Sequence, residues 1–181
     1  MPALGYAIVV GGWLIWLLPF LIYRRAGAPQ KRDTRARWGM ILEGIAYALL
    51  WQGQFWERSP EPWLVLLASI AFALACLLAW TATRALGRHW RFDAGLDPDH
   101  QLIRSGPYRW VRHPIYASML CLLLGTGAVL TPPGLFAAAI AVFLVGTEIR
   151  VRIEDHLLAA RFGPDWRAYQ RAVPAYIPYL R

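Results

Sequence analysis

Residues 63–83 read WLVLLASIAFALACLLAWTAT, a run of 21 residues without a charged side chain. A helix needs about 20 apolar residues to cross a bilayer, so this run predicts a transmembrane helix. The last apolar run of the chain, residues 134–147, is shorter than the length needed to cross a bilayer, and we expect its helix to continue past Glu148 into the headgroup region. The sequence therefore predicts an all-α, polytopic membrane protein with about five transmembrane helices and short cytoplasmic helices. Numbered along the chain, the five apolar runs are residues 4–22, 39–56, 63–83, 114–130 and 134–147.

The composition and the placement of charge favour a membrane protein over a soluble one. Hydrophobic residues make up 57% of the chain, and 10 of the 181 residues are Trp. The net charge of +8 could indicate nucleic-acid binding, but the basic residues fall in blocks between the apolar runs. That distribution is typical of membrane topology, and we predict no nucleic-acid partner. Cys76 and Cys121 lie inside apolar runs, where we expect them to be small buried hydrophobic residues.

The placement of arginine predicts the orientation. Of the 19 basic residues, all except Arg58 lie between the first and second runs, between the third and fourth, or after the fifth. Because positively charged loops remain in the cytoplasm, we expect the N-terminus outside and the C-terminus inside. No basic segment precedes the first run, which indicates an N-out anchor rather than a cleaved signal peptide.

Proline and glycine mark the turns. Thr131-Pro132-Pro133-Gly134 predicts a tight turn that joins the last two runs into a helical hairpin. Gly163-Pro164 ends the fifth helix, and Asp165 is the predicted cap of another short helix. Since no repeat or flexible linker interrupts the chain, we predict a single membrane-embedded domain over residues 1–181.

Residues 104–116 place Arg, His and Tyr side chains directly before the fourth apolar run. Ionisable groups at a membrane edge are costly, so their density suggests a functional site. Arg112 could bind a carboxylate through two hydrogen bonds, or could lie among the headgroups like any cytoplasmic arginine. His113 precedes a proline and therefore favours an extended conformation, and Tyr116 follows one turn further on.

Acidic residues form a second group of candidates. Glu154 and Asp155 could bind hydroxyl or amino groups of a cofactor, or could form salt bridges with arginines such as Arg150. Glu43 lies within the second run and either belongs to a site or faces an arginine of the helix bundle. The histidines and aspartates of residues 89–100 match no familiar set of ligands, and we predict no metal site.

Two motifs resemble those of a known family. Residues 100–116 read HQLIRSGPYRWVRHPIY and match the pattern H-x-L-x-x-x-G-x-Y-x-x-x-R-H-P-x-Y. Residues 154–178 are similar to the ending E-E-x-x-L … F-G-x-x-Y-x-x-Y-x-x-x-V-x-x-x-I-P. Both patterns resemble the isoprenylcysteine carboxyl methyltransferase family, membrane enzymes that use S-adenosylmethionine, and the resemblance covers residues 84–181. The chain departs from the family pattern at Ser118, Asp155 and Trp166, where Gly, Glu and Tyr are usual.

The resemblance implies that the two motifs together hold S-adenosylmethionine. Arg112 would orient the substrate, and His113 and Glu148 are the side chains that could act as a base. A lipophilic substrate would enter sideways from the bilayer between the helices, while the cofactor would enter from the cytoplasm. The residues that the resemblance assigns to cofactor binding are His100, Leu102, Gly106, Tyr108, His113, Tyr116, Glu154 and Asp155.

Several alternatives stay open at this point. The methyl acceptor could be an isoprenylcysteine-like carboxylate, a thiol or a lipid amine. Sterol reductases, which use NADPH, share the R-H-P-x-Y motif and a tail with Trp at the position of Trp166, but they have a larger set of transmembrane helices. A non-catalytic membrane protein that keeps the fold is the other alternative. The short loops and the high arginine content favour a bacterial inner membrane, with the site facing the cytoplasm.

Overall fold

Helices account for most of the structure. The computed structural model describes residues 3–23, 31–53, 59–90, 95–96 and 101–178. Two 3-10 turns, Gly87–His89 and Gly106–Arg109, lie between the longer helices. A two-residue antiparallel pair joins β1 (Lys31–Arg32) to β2 (Gly95–Leu96). The helices are α1 (Ala3–Ile22), α2 (Ala36–Leu50), α3 (Pro62–Leu86), α4 (Pro114–Leu130), α5 (Pro133–Phe162) and α6 (Pro164–Ala172).

The five apolar runs correspond to α1 through α5. Among the described residues, α1, α3 and α5 contain stretches long and apolar enough to cross a membrane, and α4 is a shorter apolar helix of 17 residues. α5 continues through Glu148 to Phe162, as the short fifth run predicts. α2 is 15 residues long and begins at Ala36, earlier than the run at residues 39–56. The helical character is thus confirmed, and the β1–β2 pair is an addition that the sequence did not indicate.

Proline and glycine set the helix boundaries. α3, α4, α5 and α6 each begin at a proline, because the first residue of a helix needs no backbone N–H donor. Gly163 ends α5 with a φ of 53°, in the region that favours glycine. Gly163 also directly precedes α6, so Asp165 lies within the first turn of α6 and does not cap it. The prediction of a cap at Asp165 is therefore wrong, although the predicted helix is present.

α4 lies between two groups of helices. It packs mainly on α3, which also contacts α1, whereas α5 packs mainly on α2. The adjacent residues Leu122 and Leu123 of α4 belong to two apolar clusters: Leu122 joins the one containing Phe72, and Leu123 the one containing Phe143. A tight connection joins the two helices as predicted, but it consists of Thr131 and Pro132, since α5 already begins at Pro133. However, α4 and α5 each have their main partner elsewhere, so the two helices do not form a closely packed hairpin.

α2 and α5 approach each other at two glycines. A Cβ at Gly39 would lie 2.5 Å from the carbonyl oxygen of Gly146, and a Cβ at Gly146 would lie 2.7 Å from that of Gly39. Neither distance leaves room for a side chain, so the two glycines allow the helix backbones to meet. Because a helical turn contains 3.6 residues, this contact lies about one turn before Glu43 on α2 and Arg150 on α5.

The chain after α6 returns to the start of α4. The backbone N–H groups of Arg112 and His113 donate to the carbonyl oxygens of Pro174 and Ala175, each at 2.8 Å. These hydrogen bonds hold the tail, residues 173–178, against the stretch that precedes α4. The tail, the end of α5 and the start of α4 therefore meet at one place in the fold.

Candidate functional site

His113 lies between two carboxylates. It directly precedes α4 with a φ of −126° and a ψ of 65°, which is outside the helical region as a following proline favours. Its Nε2 lies 2.8 Å from Asp155 Oδ1, and its Nδ1 lies 3.4 Å from Glu154 Oε2. The residue is 7% exposed. One buried ring thus joins the start of α4 to the acidic pair on α5.

Asp155 accepts hydrogen bonds from several parts of the chain. Besides His113, it accepts from Arg112 Nη2 at 3.2 Å and from Gln170 Nε2 at 3.0 Å. Arg112 Nη1 also donates to the carbonyl oxygens of Gln170, at 3.1 Å, and of Val173. Both members of the Arg112–Asp155 pair are buried, so removal of either partner would be costly. Arg112 therefore ties α5, α6 and the tail together, and its role in orienting a substrate stays a prediction.

Glu154 binds Tyr116 and faces Arg150. The Tyr116 hydroxyl, in the first turn of α4, donates to Glu154 Oε1. Arg150 places its Nη2 3.9 Å from the same oxygen and its guanidinium 4.9 Å from the centre of the Tyr116 ring. The Glu154 side chain is 24% exposed, whereas that of Asp155 is 7% exposed. Glu154 is therefore the carboxylate that is more open to a ligand.

The two carboxylates favour the charged form of His113. Burial by itself lowers the pKa of His113, but the hydrogen bonds with Asp155 and Glu154 outweigh burial and raise this pKa above its ordinary value of 6.5. More of the ring is imidazolium at neutral pH than it would be in water, and an imidazolium donates from both nitrogens but accepts no proton. This charge state favours a binding role for His113, and its role as a base stays a prediction.

The other predicted residues of the first motif lie in and beside the 3-10 turn before α4. Gly106 has a φ of 61°, in the region that favours glycine, and Tyr108 is buried. The Tyr169 hydroxyl of α6 donates to the carbonyl oxygen of Tyr108. Burial raises the pKa of Tyr169 to about 12, which keeps this donor protonated. Leu102 is half-buried, and His100 lies outside the described residues.

Glu148 forms an ion pair at the surface of α5. Its Oε1 lies 2.7 Å from Nε of Arg152, whose side chain is 71% exposed. Exposed pairs of this kind contribute about 0–1 kcal/mol. The role of Glu148 as a base stays a prediction.

The described ranges contain no group of three or more His, Cys, Asp or Glu side chains placed to bind a metal ion. The aspartates of residues 89–100 lie outside those ranges.

Besides Glu154, four residues further along α5, Arg150 has a second acidic partner, Glu43, on α2. Its Nη1 lies 2.9 Å from Glu43 Oε2, so Glu43 faces an arginine of the helix bundle, one of the two alternatives for this residue. Gln170, which donates to Asp155, carries no motif signal. The spacing of four residues between Arg150 and Glu154 is visible in the sequence, whereas the positions of Glu43 and Gln170 depend on how α2 and α6 pack.

Comparison with known proteins places the chain in a family. The model of the isoprenylcysteine carboxyl methyltransferase (ICMT) family matches residues 65–160, more than half of the 181 residues. The protein-S-isoprenylcysteine O-methyltransferase of Schizosaccharomyces pombe is 33% identical over 205 residues, covering 97% of this chain and 86% of that protein. The chain therefore belongs to the isoprenylcysteine carboxyl methyltransferase family, as its two motifs predict.

A bacterial relative and a solved structure extend the comparison. The cobalt-zinc-cadmium resistance protein CzcN of Cupriavidus metallidurans is 29% identical over 145 residues, which cover 79% of this chain and 62% of that protein. The chain thus spans less than two thirds of the length of CzcN. The eukaryotic intramembrane Ras methyltransferase ICMT matches with a TM-score of 0.67 at 21% identity, over 99% of this chain and 70% of that one. This likeness shows a shared fold.

Proposed function

We propose that this protein is an integral membrane methyltransferase that transfers a methyl group from S-adenosylmethionine to a lipophilic acceptor. The observation that carries the proposal is the cluster around His113, where residues 104–116 meet Glu154 and Asp155. Membership of the family supports the same reaction. An isoprenylcysteine-like carboxylate is the acceptor that we test first, because the Schizosaccharomyces pombe relative is named for this chemistry. A thiol and a lipid amine are the alternatives.

The residues of this cluster fit S-adenosylmethionine. The cofactor carries an amino group and ribose hydroxyls, for which Glu154 offers accessible acceptor oxygens. Arg112 Nε is a buried N–H group without a hydrogen-bond partner among the described residues. An unpaired buried donor costs about 1–3 kcal/mol, and the carboxylate or adenine nitrogens of a bound cofactor are suitable acceptors. The residues proposed to line the cofactor are His100, Leu102, Gly106, Tyr108, His113, Tyr116, Glu154 and Asp155.

The chemistry requires alignment and the exclusion of water more than it requires a base. When bound, S-adenosylmethionine supplies an electrophilic methyl group for attack in line with the departing sulfur. A carboxylate acceptor is already an anion, so a desolvated and aligned carboxylate needs no proton transfer. The protein's part is to bind the donor through Glu154 and Tyr116 and to hold the acceptor's anionic group near Arg112. A thiol acceptor would first have to ionise, for which His113 and Glu148 are the candidate bases.

The arrangement of charge along the chain supports a particular membrane topology. In this proposal α1 through α5 cross the bilayer, with the N-terminus outside and the C-terminus in the cytoplasm, the orientation that the arginine-rich connections favour. The cluster around His113 then faces the cytoplasm, where S-adenosylmethionine is available, and the acceptor enters from the bilayer between helices. Residues 1–181 form one membrane-embedded domain. The bacterial relative and the short loops favour a bacterial inner membrane.

Ligand binding tests the donor. The purified protein in detergent is heated with S-adenosylhomocysteine or with NADPH, and the melting temperature is compared with that of the protein alone. We expect stabilisation by S-adenosylhomocysteine, since a ligand that binds only the folded state raises its stability. Stabilisation by NADPH alone would overturn the proposal in favour of a reductase, and stabilisation by neither would favour a non-catalytic protein.

Methyl transfer tests the acceptor. Labelled S-adenosylmethionine is incubated with the protein and, in separate reactions, with a farnesylcysteine analogue, a lipophilic thiol and an amine-bearing phospholipid. We expect label in the farnesylcysteine analogue. A Glu154→Gln variant is the control for background transfer, because it removes the charge of the accessible carboxylate with little change of shape. Label in the thiol or amine alone would reassign the acceptor class.

A further inference from the structure

Glu43 is a buried acid on α2, outside both sequence motifs. It is 2% exposed, and its two oxygens are bound by α5: Oε2 by Arg150 Nη1 at 2.9 Å and Oε1 by the Thr147 hydroxyl at 3.1 Å. A carboxylate buried among apolar helices is costly unless it is paired and hydrogen-bonded, as it is here. Replacement of such a pair by apolar residues is often neutral or stabilising, so stability alone is a weak explanation of Glu43.

The guanidinium of Arg150 lies between two carboxylates, those of Glu43 and Glu154. Its Nη1 binds Glu43 directly, while its Nη2 lies 3.9 Å from Glu154 Oε1, beyond hydrogen-bond distance. The same group lies over the Tyr116 ring, and Tyr116 donates its hydroxyl to Glu154. Glu43 therefore holds Arg150 near Glu154 without a direct hydrogen bond between them.

The close contact of α2 and α5 fixes the position of the Arg150 guanidinium between the two carboxylates. A Cβ at Gly39 would lie 2.5 Å from Arg150 Cγ as well as from the Gly146 carbonyl oxygen. The Arg150 side chain thus runs across the α2 backbone and reaches Glu43 one turn further on. Loss of the charge on Glu43 would weaken the hold on Arg150 Nη1, so that the guanidinium could shift toward Glu154 and compete with Tyr116 and His113 for its oxygens.

We propose that Glu43 is a positioning residue for methyl transfer: it holds Arg150 so that Glu154 and Tyr116 keep the orientation in which they bind the methyl donor. This inference rests on the proposed function of the His113 cluster. It assigns a role in donor binding to α2, a helix that carries neither motif. Glu43 itself acts through Arg150 and does not contact the donor.

The first experiment separates positioning from simple stabilisation. Glu43→Gln removes the charge and keeps the shape, and Tyr47→Phe is its matched control. Tyr47 lies one turn away on α2 and donates a hydrogen bond to the Met119 carbonyl oxygen at 2.8 Å, outside the Arg150 network. Titration calorimetry gives the affinity for S-adenosylhomocysteine, and the melting temperature without ligand reports stability. We expect roughly a fivefold loss of affinity for Glu43→Gln and none for Tyr47→Phe.

A double-mutant cycle tests whether Glu43 acts through Glu154. In the Glu154→Gln background, Glu43→Gln should have no further effect on the affinity for S-adenosylhomocysteine, because the carboxylate that it positions is gone. Additive effects would overturn the inference, as would a Glu43→Gln variant that loses stability but keeps full affinity. If Glu43→Gln fails to fold, Glu43→Asp serves instead, since it keeps the charge but shortens the reach toward Arg150.

The two proposals fail in different ways. If the wild-type protein does not bind S-adenosylhomocysteine, the proposed function is overturned and this inference with it. If the wild-type protein binds and Glu43→Gln binds equally well, only the role of Glu43 is overturned.

Discussion

His113 shows how a motif residue acquires its chemistry from distant parts of the chain. Its position before Pro114 sets the backbone, and its backbone N–H is bound by the tail at Ala175. Its ring then lies between Asp155 and Glu154, which come from the far end of α5. The ring thus lies buried between two carboxylates, which raise its pKa above the ordinary value.

The pKa of His113 predicts a dependence of stability on pH. Hydrogen bonds to the two carboxylates raise the pKa in the folded state above 6.5, the value expected in the unfolded chain. The resulting stabilisation is fully present below the unfolded pKa and is lost as the pH rises through the folded pKa. The difference in melting temperature between the wild type and His113→Gln should therefore be largest below pH 6.5 and shrink as the pH is raised above it.

His156→Gln is the control for this pH series. His156 is exposed and follows Asp155 on α5. Its variant should follow the wild type across the whole range. A difference between the wild type and His113→Gln that stays constant with pH would contradict a raised pKa of His113 in the folded protein.

Arg112 offers a second prediction at this scale. Arg112→Ala would remove the guanidinium that pairs with buried Asp155 and the side-chain donor to the carbonyl oxygens of Gln170 and Val173. We expect a loss of about 3–5 kcal/mol in the free energy of unfolding, as for other broken buried pairs. The loss is measured by denaturation in detergent.

Arg109→Ala is the matched control for Arg112→Ala. The Arg109 guanidinium lies 4.5 Å from the ring centre of Trp110, and both residues are exposed. Loss of an exposed contact of this kind costs about 0.5–1 kcal/mol. Equal stability of the two variants would show that Arg112 does not hold the tail.

At the scale of elements, the contact between α2 and α5 depends on Gly39 and Gly146. The two backbones meet where neither helix carries a side chain, and this places Glu43 beside Arg150. Ordinary apolar packing would keep the helices further apart and change the path by which Arg150 crosses α2 to reach Glu43. The glycines therefore connect the packing of two helices to the electrostatics of the site.

Gly146→Ala tests this contact. Its Cβ would lie 2.7 Å from the Gly39 carbonyl oxygen, so the helices would have to separate. Overpacking of this kind costs about 1–3 kcal/mol, to be measured as a lower melting temperature in detergent. Gly44→Ala on α2 is the control, since a Cβ there meets nothing within 4 Å. Gly44→Ala should be neutral or stabilising by up to about 1 kcal/mol, and the same loss in both variants would refute a specific contact.

At the scale of the whole molecule, α4 is buried between the α1–α3 and α2–α5 groups, and the tail closes over its start. Leu122 and Leu123 serve different clusters because adjacent residues on a helix point about 100° apart. The site thus lies where three separate parts of the chain meet: the start of α4, the end of α5 and the tail.

The proposed topology predicts which connections face the cytoplasm. The α2–α3 connection carries one basic residue, Arg58, whereas residues 84–112 carry six. In a bacterial host, alkaline phosphatase fused after Ser59 should be active, and a fusion after Arg104 should be inactive. Green fluorescent protein fused at the same two positions should give the opposite result. An active phosphatase at Arg104 would reverse the orientation of the site.

Local signals made the helices and the family predictable. Runs without charge indicated α1 through α5, and prolines with glycines indicated the turns at 131–134 and 163–164. The resemblance of residues 100–116 and 154–178 placed His113, Glu154 and Asp155 in one site. The prediction of a cap at Asp165 is wrong because Gly163, two residues earlier, ends α5 and directly precedes α6.

The helical class of this protein, its apolar segments and the side chains of the His113 cluster follow from local sequence, because each depends on neighbouring residues or on a motif. Three contacts depend instead on how the helices pack: Arg112 binds the tail, Gln170 reaches Asp155, and Arg150 lies between Glu43 and Glu154. These contacts join residues that are distant along the chain. They exist because α2 approaches α5 at two glycines and the tail folds back onto α4, and no local pattern encodes either approach.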